Sequence, residues 1–114
     1  MRKSANGHAT FEALEGDRSR VLGSLEFATV TRLLPVGSAA IDGGRAAVID
    51  LGGVTGTDSA GLALLIEWLS VARAAKRSLR YENVPAQMRQ LAHLSEVDEL
   101  LLAGSSKLSE QAGS

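Results

Sequence analysis

No cysteine occurs in the 114-residue chain, which excludes disulfides, thiolate zinc sites and cysteine nucleophiles from the outset. Histidine is nearly as scarce. His8 and His93 stand far apart with no companion ligands at metal spacing, and His93 is expected at solvent or at a helix end. An excess of charge of one sign is also missing, since 12 Lys and Arg face 13 Asp and Glu. The basic pairs Arg2-Lys3 and Lys76-Arg77 are too short to make a nucleic-acid stripe, so nucleic acid is not an expected partner. No apolar run approaches the length of about 20 residues that spans a bilayer, and the first residues carry no apolar signal core. The expectation is a soluble cytoplasmic protein that meets a membrane only through a partner.

The residues present suffice for one domain and are too few for two. With 45% hydrophobic and 22% charged residues, the composition is that of a globular chain with a single core. Met1 to Ala9 is small and polar and is expected to fray. Thr10 to Glu15 predicts a weak edge strand through Phe11 and Leu14. Gly16-Asp17-Arg18-Ser19 has turn chemistry, and Arg20-Val21-Leu22 resumes as a strand. From Glu26 to about Val36, the residues Phe27, Val30, Leu33 and Leu34 recur at helical spacing, with Pro35 predicting an early end or a kink. Asp42-Gly43-Gly44 is a turn.

Arg45 to Leu51 is almost continuously apolar, as in a central strand. A Gly/Thr-rich loop is expected over Gly52 to Asp58, then a helix from Ser59 to about Ala75. Ser78 to Glu82 predicts a further strand, and Pro85 suits the first turn of a helix running to about Leu94. Val97 to Leu102 is apolar and is expected to pack somewhere, whereas Gly104 to Ser114 has the composition of a loose tail. The order predicts an α/β domain with a mixed sheet of four to five strands and helices mainly on one face.

The segment from Val48 to Trp68 carries the chemistry. Asp58 or Ser59 can cap the helix by accepting from an early backbone N–H, and Gly52, Gly53 and Gly56 let a loop turn tightly. Gly56 and Gly61 have the spacing of a phosphate-binding loop, but Leu62 and Ala63 replace its lysine and hydroxyl residue. Ser59 lacks the Gly-x-Ser-x-Gly context of a serine nucleophile. Neither nucleotide hydrolysis nor hydrolase chemistry is therefore expected, and no catalytic residue, metal or cofactor is assigned. A regulatory hydroxyl remains. At a helix N-terminus the unpaired N–H groups and the dipole favour negative charge, so a phosphate on Ser59 would alter the surface without unfolding the domain.

The helix that follows has two apolar stripes. Leu62, Leu65, Ile66, Leu69 and Ala72 form a core face. Leu64, Trp68, Val71 and Ala75 lie nearly opposite. Two arrangements account for the second stripe: a neighbouring helix covers it, or it is a docking surface with Trp68 as its anchor.

The run Val48-Ile49-Asp50-Leu51, Val54 and Thr57-Asp58-Ser59-Ala60-Gly61-Leu62 resembles the signature of STAS domains, named from sulfate transporters and anti-sigma factor antagonists. Gly23-Ser24-Leu25-Glu26 falls where that family ends its second strand. The resemblance covers residues 10–102, leaving 1–9 and 103–114 as expected flexible termini. It implies a non-catalytic domain that works by binding another protein, in one of two branches. In anti-sigma factor antagonists, a serine at the position of Ser59 is phosphorylated by a serine kinase that is itself the anti-sigma factor. In the MlaB-like branch, the domain binds the cytoplasmic ATPase of a bacterial phospholipid ABC transporter that maintains outer-membrane lipid asymmetry. Gly61 to Leu65, Trp68 to Lys76 and Leu91-Ala92-His93-Leu94 resemble the MlaB-like branch more closely. Ser59 departs from its usual threonine while keeping the hydroxyl. The resemblance makes Ser59 the regulatory candidate, with Thr57 as a second hydroxyl. Thr57, Asp58, Ser59, Ala60 and Gly61, with Leu64 and Trp68 from the outer stripe, are the expected partner-binding residues.

Overall fold

The computed structural model describes residues 8–97 and Leu101. The elements run β1 (Ala9–Ala13), β2 (Arg18–Leu25), α1 (Phe27–Asp42), β3 (Val48–Thr57), α2 (Ser59–Ala74), β4 (Arg80–Glu82) and α3 (Ala86–Leu94). The sheet order is β1-β2-β3-β4. β1 and β2 form an antiparallel hairpin, whereas β2-β3 and β3-β4 are parallel. This is the expected mixed α/β architecture, with four strands among the described residues. Ala9, in the segment expected to fray, is a buried member of β1.

Helices cover one face of the sheet, where Val21, Leu25, Ile49, Leu51 and Tyr81 are buried. Tyr81 donates from its hydroxyl to the Leu65 carbonyl at 2.6 Å, and burial holds its phenol well above the ordinary pKa. The other face is a lattice of charge. Glu12 pairs with Arg20 at 2.8 Å, and Glu82 pairs with both Arg18 and Arg80. Pairing these groups lets a mostly parallel sheet leave one face to water.

Three differences from the sequence expectations shape the fold. α1 continues past Pro35 to Asp42. Pro35 and Thr31, whose carbonyl loses its helical partner, are both exposed, so water can serve the orphaned oxygen. Beyond the proline, Gly37, Ala40 and Ile41 keep the helical period and are buried, which drives continuation. The glycine segment expected as a loop is the second half of β3. Leu22, Gly23, Ser24 and Leu25 pair with Gly53, Val54, Gly56 and Thr57, around two register shifts. At Gly53 a Cβ would meet the movable end of the Leu22 side chain and approach the Val21 carbonyl oxygen to 3.3 Å. β2 in turn starts at Arg18, within the expected turn.

The second stripe of α2 faces α1 and the sheet. Leu64 and Trp68 are buried, and Trp68 has no exposed surface at all. Its indole N–H donates to the Leu34 carbonyl at 3.2 Å, and its ring meets Phe11 edge-on with centroids 5.7 Å apart. Gly37 supplies the cradle, because a Cβ there would lie 2.3 Å from the indole. The outer stripe is therefore helix–helix packing, and Leu64 and Trp68 are withdrawn as partner-binding residues. Leu101 is buried and Val97 packs against the core, as expected of that segment. The expected tail from Gly104 to Ser114 lies outside the described residues.

Candidate functional site

The parallel strands β2 and β3 end side by side, with Leu25 opposite Thr57. Each passes into a helix after one residue, so α1 and α2 begin together at one edge of the domain. Asp58 closes the second of these turns. Its backbone N–H donates to the Leu25 carbonyl at 3.1 Å, tying the start of α2 to the end of β2. Its carboxylate accepts from the N–H groups of Ala60 at 2.8 Å and Gly61 at 3.4 Å. Asp58, not Ser59, is therefore the cap.

Thr57 belongs to the frame of the turn. Its hydroxyl donates to the Asp58 carbonyl at 3.1 Å, and its backbone N–H donates to the Gln87 amide oxygen of α3 at 3.3 Å. Gly61 is buried, and a Cβ on it would stand 2.1 Å from the Thr57 hydroxyl and 2.9 Å from the Leu25 carbonyl oxygen. Its glycine character lets the helix N-terminus approach the strand ends. Gly61 acts on any partner contact by positioning, from beneath the surface. Ala60 is half-buried, and Ser59, the first residue of α2, is exposed.

Asp58 also changes what a phosphate on Ser59 would meet. Its carboxylate already occupies two N–H groups at the helix start, so the modification would set a second anion beside the first. The effect would be borne mainly by the outer surface, through charge that a docking protein must confront.

Two features of this edge lay outside the sequence assignment. Phe27, counted in the apolar stripe of α1, is 73% exposed at the first position of that helix. Its spacing matches that of Val30 and Leu34, so no periodicity signal separates it from the core. Beside it Ser24 donates from its hydroxyl to the Glu26 carboxylate. The Glu26 backbone N–H donates to the Thr29 hydroxyl at 2.9 Å, and that hydroxyl donates on to the Ser24 carbonyl. Elsewhere, Ala86, Arg89, Gln90, His93 and Leu94 line a shallow groove on α3. Among the described residues no three His, Cys, Asp or Glu side chains gather as metal ligands, and no helix is long and apolar enough to cross a membrane.

A four-stranded mixed sheet with its helices on one face, and a hydroxyl exposed where the parallel strands turn into helices, defines the class as a STAS-type domain. Residues 11–103 match the family described as "Mlab, STAS domain", and the chain belongs to that family. Among solved structures it is similar to the anti-sigma factor antagonist SpoIIAA in its unphosphorylated form. The two share 19% identity over 76% of this chain and 83% of that one, with a TM-score of 0.60. It is also similar to the Bacillus cell fate determinant SpoIIAA in the phosphorylated form, at 19% identity over 81% and 86% of the two chains, with a TM-score of 0.61. At this identity the likeness is one of fold. No curated protein matches the chain.

Proposed function

We propose that this protein is a non-catalytic subunit that binds and regulates the cytoplasmic ATPase of a bacterial phospholipid ABC transporter maintaining outer-membrane lipid asymmetry. It reaches the inner membrane through that ATPase and needs no cofactor of its own. The observation that carries this proposal is the match to the MlaB-type STAS family across nearly the whole described domain. In this reading the ATPase meets the edge formed by Thr57, Asp58 and Ser59; the exposure of Ser59 on a braced turn supports it.

A second function is favoured by a specific observation: Ser59 is an exposed serine in a fold shared with SpoIIAA, a protein whose structure exists in phosphorylated and unphosphorylated forms. In that alternative the chain is an anti-sigma factor antagonist, and phosphorylation of Ser59 by its partner kinase releases it. One experiment separates the two. The tagged protein is titrated against the purified transporter ATPase and against the anti-sigma-type serine kinases of the same genome, with and without ATP. ATPase binding that raises or lowers its turnover supports the transport subunit. Kinase binding with phosphate incorporated at Ser59, lost in Ser59→Ala, supports the antagonist and refutes the transport subunit if the ATPase remains unbound.

A further inference from the structure

Phe27 and Ser59 are brought together by the fold, although 32 positions separate them in the chain (59 − 27). Leu25 and Thr57 are direct neighbours in the sheet, and each exposed residue lies two positions beyond its strand end. The helices they open pack on one another, which fixes axial separations of about 8–10 Å. Phe27, 73% exposed, and the exposed Ser59 thus open two helices that start from neighbouring strand ends.

Phe27 does nothing evident for the core. Leu25, Thr29 and Leu33 close the interior around it, and α1 is anchored at this end by the hydrogen bonds of Glu26 and Thr29. The apolar surface of Phe27 is left in water, where a partner can bury it. In sequence the charge flanking the two helix starts is acidic. Glu26 and Asp58 begin the two helices, while no Lys or Arg occurs in residues 21–31 or 51–72.

We infer that Phe27 is the apolar anchor of the partner contact, seated in an apolar pocket of the partner protein that is rimmed by Lys and Arg side chains. This rests on the proposed binding role of the Ser59 edge and adds to it the chemistry of the surface it meets. An aromatic anchor at a helix start preceded by Glu26, with Asp58 at the start of the neighbouring helix, supplies affinity through desolvation of the ring, and orientation through the charges. A phosphate on Ser59 would then act at the rim of an occupied pocket.

The test measures affinity of the purified ATPase, and of the purified kinase, for the wild type, Phe27→Ala, Phe27→Leu and the control Val36→Ala. Val36 is 49% exposed further along the same helix. For whichever partner binds, Phe27→Ala is expected to weaken affinity by about 10- to 100-fold, with Phe27→Leu between it and the wild type. Val36→Ala and the melting temperature of all four should change little. Added salt should weaken wild-type binding chiefly by slowing association. Equal affinity of Phe27→Ala and wild type, within twofold, overturns the anchor while leaving the binding function standing. An affinity that rises with salt overturns the basic rim. Wild type that binds neither protein overturns both the function and the anchor.

Discussion

Replacing Trp68 is the sharpest test of how α2 is used. Trp68→Ala removes a side chain with no exposed surface, its edge-on contact with Phe11 and its hydrogen bond to the Leu34 carbonyl. Truncations of this kind cost about 3–5 kcal/mol in other cores. Domains of this size are commonly stable by about 5–15 kcal/mol, so from about a fifth to all of the stability is at stake. At about 4–8 °C per kcal/mol, the melting temperature should fall by more than about 12 °C. Gly37 gives the same argument a second, independent handle. A methyl at Gly37 would lie 2.3 Å from Cζ2 and 2.8 Å from Nε1 of the indole. Gly37→Ala gains up to about 1 kcal/mol in helix propensity and loses about 1–3 kcal/mol to overpacking. In a Trp68→Phe background the smaller ring vacates that space, so Gly37→Ala should become neutral or stabilising. The double-mutant coupling should therefore be favourable by about 1–2 kcal/mol. Urea denaturation followed by circular dichroism reads all four proteins, since Trp68 is the sole tryptophan and its fluorescence is lost with it. A Trp68→Ala variant that melts within about 3 °C of wild type, or additive effects in the Gly37 cycle, would refute the packing argument.

The cap, the close approach and the charged face each yield a further expectation. Asp58→Ala should cost about 0.5–2 kcal/mol by freeing the Ala60 and Gly61 N–H groups, whereas Ser59→Ala should stay within about 0.5 kcal/mol; the reverse order in chemical denaturation would assign the cap to Ser59. Gly61→Ala should destabilise by about 1–3 kcal/mol, because backbone at Leu25 as well as the Thr57 side chain stands in the way; unchanged stability would show that α2 can shift at no cost. The Asp50 carboxyl is held below its ordinary value of 3.8 by hydrogen bonds from the Asn83 amide and the Gly52 N–H. Glu82 is held below its ordinary 4.5 by Arg18 and Arg80. Both folded values lie beneath the unfolded ones, so their contribution is complete above about pH 5 and is lost as pH falls through 4.5 and 3.8 towards the folded values. Asp50→Asn should flatten the decline of the urea midpoint below pH 4, and a decline parallel to that of wild type would show that Asp50 takes no part in it.

Much of the domain was determined locally. The α2 boundaries follow from the Asp58 cap signal and an unbroken helical period, and they agree with the sequence expectation to within a residue. The Gly43-Gly44 turn, the start of α3 just after Pro85, and the Asp-Ser-x-Gly-Leu element that points to the STAS family are likewise short-range patterns. Even the depth of Leu62, Leu65 and Leu69 is legible, because periodicity alone defines one face of a helix.

What tertiary structure decided concerns what covers each face. Two apolar stripes on α2 are the same pattern whether α1 lies over Trp68 or solvent does; only the close approach allowed by Gly37 shows that α1 does. Gly52 to Thr57 has loop composition, yet pairing with β2 makes it strand, because the partner's hydrogen bonds outweigh intrinsic preference. Pro35 is tolerated since Thr31, whose carbonyl it leaves without a helical partner, is exposed to water. Phe27 has core spacing but is the first residue of α1 and stands in solvent, at a helix start neighbouring the one that Ser59 opens. Local sequence specifies which faces are apolar, and the packing of distant segments specifies which of them stay dry.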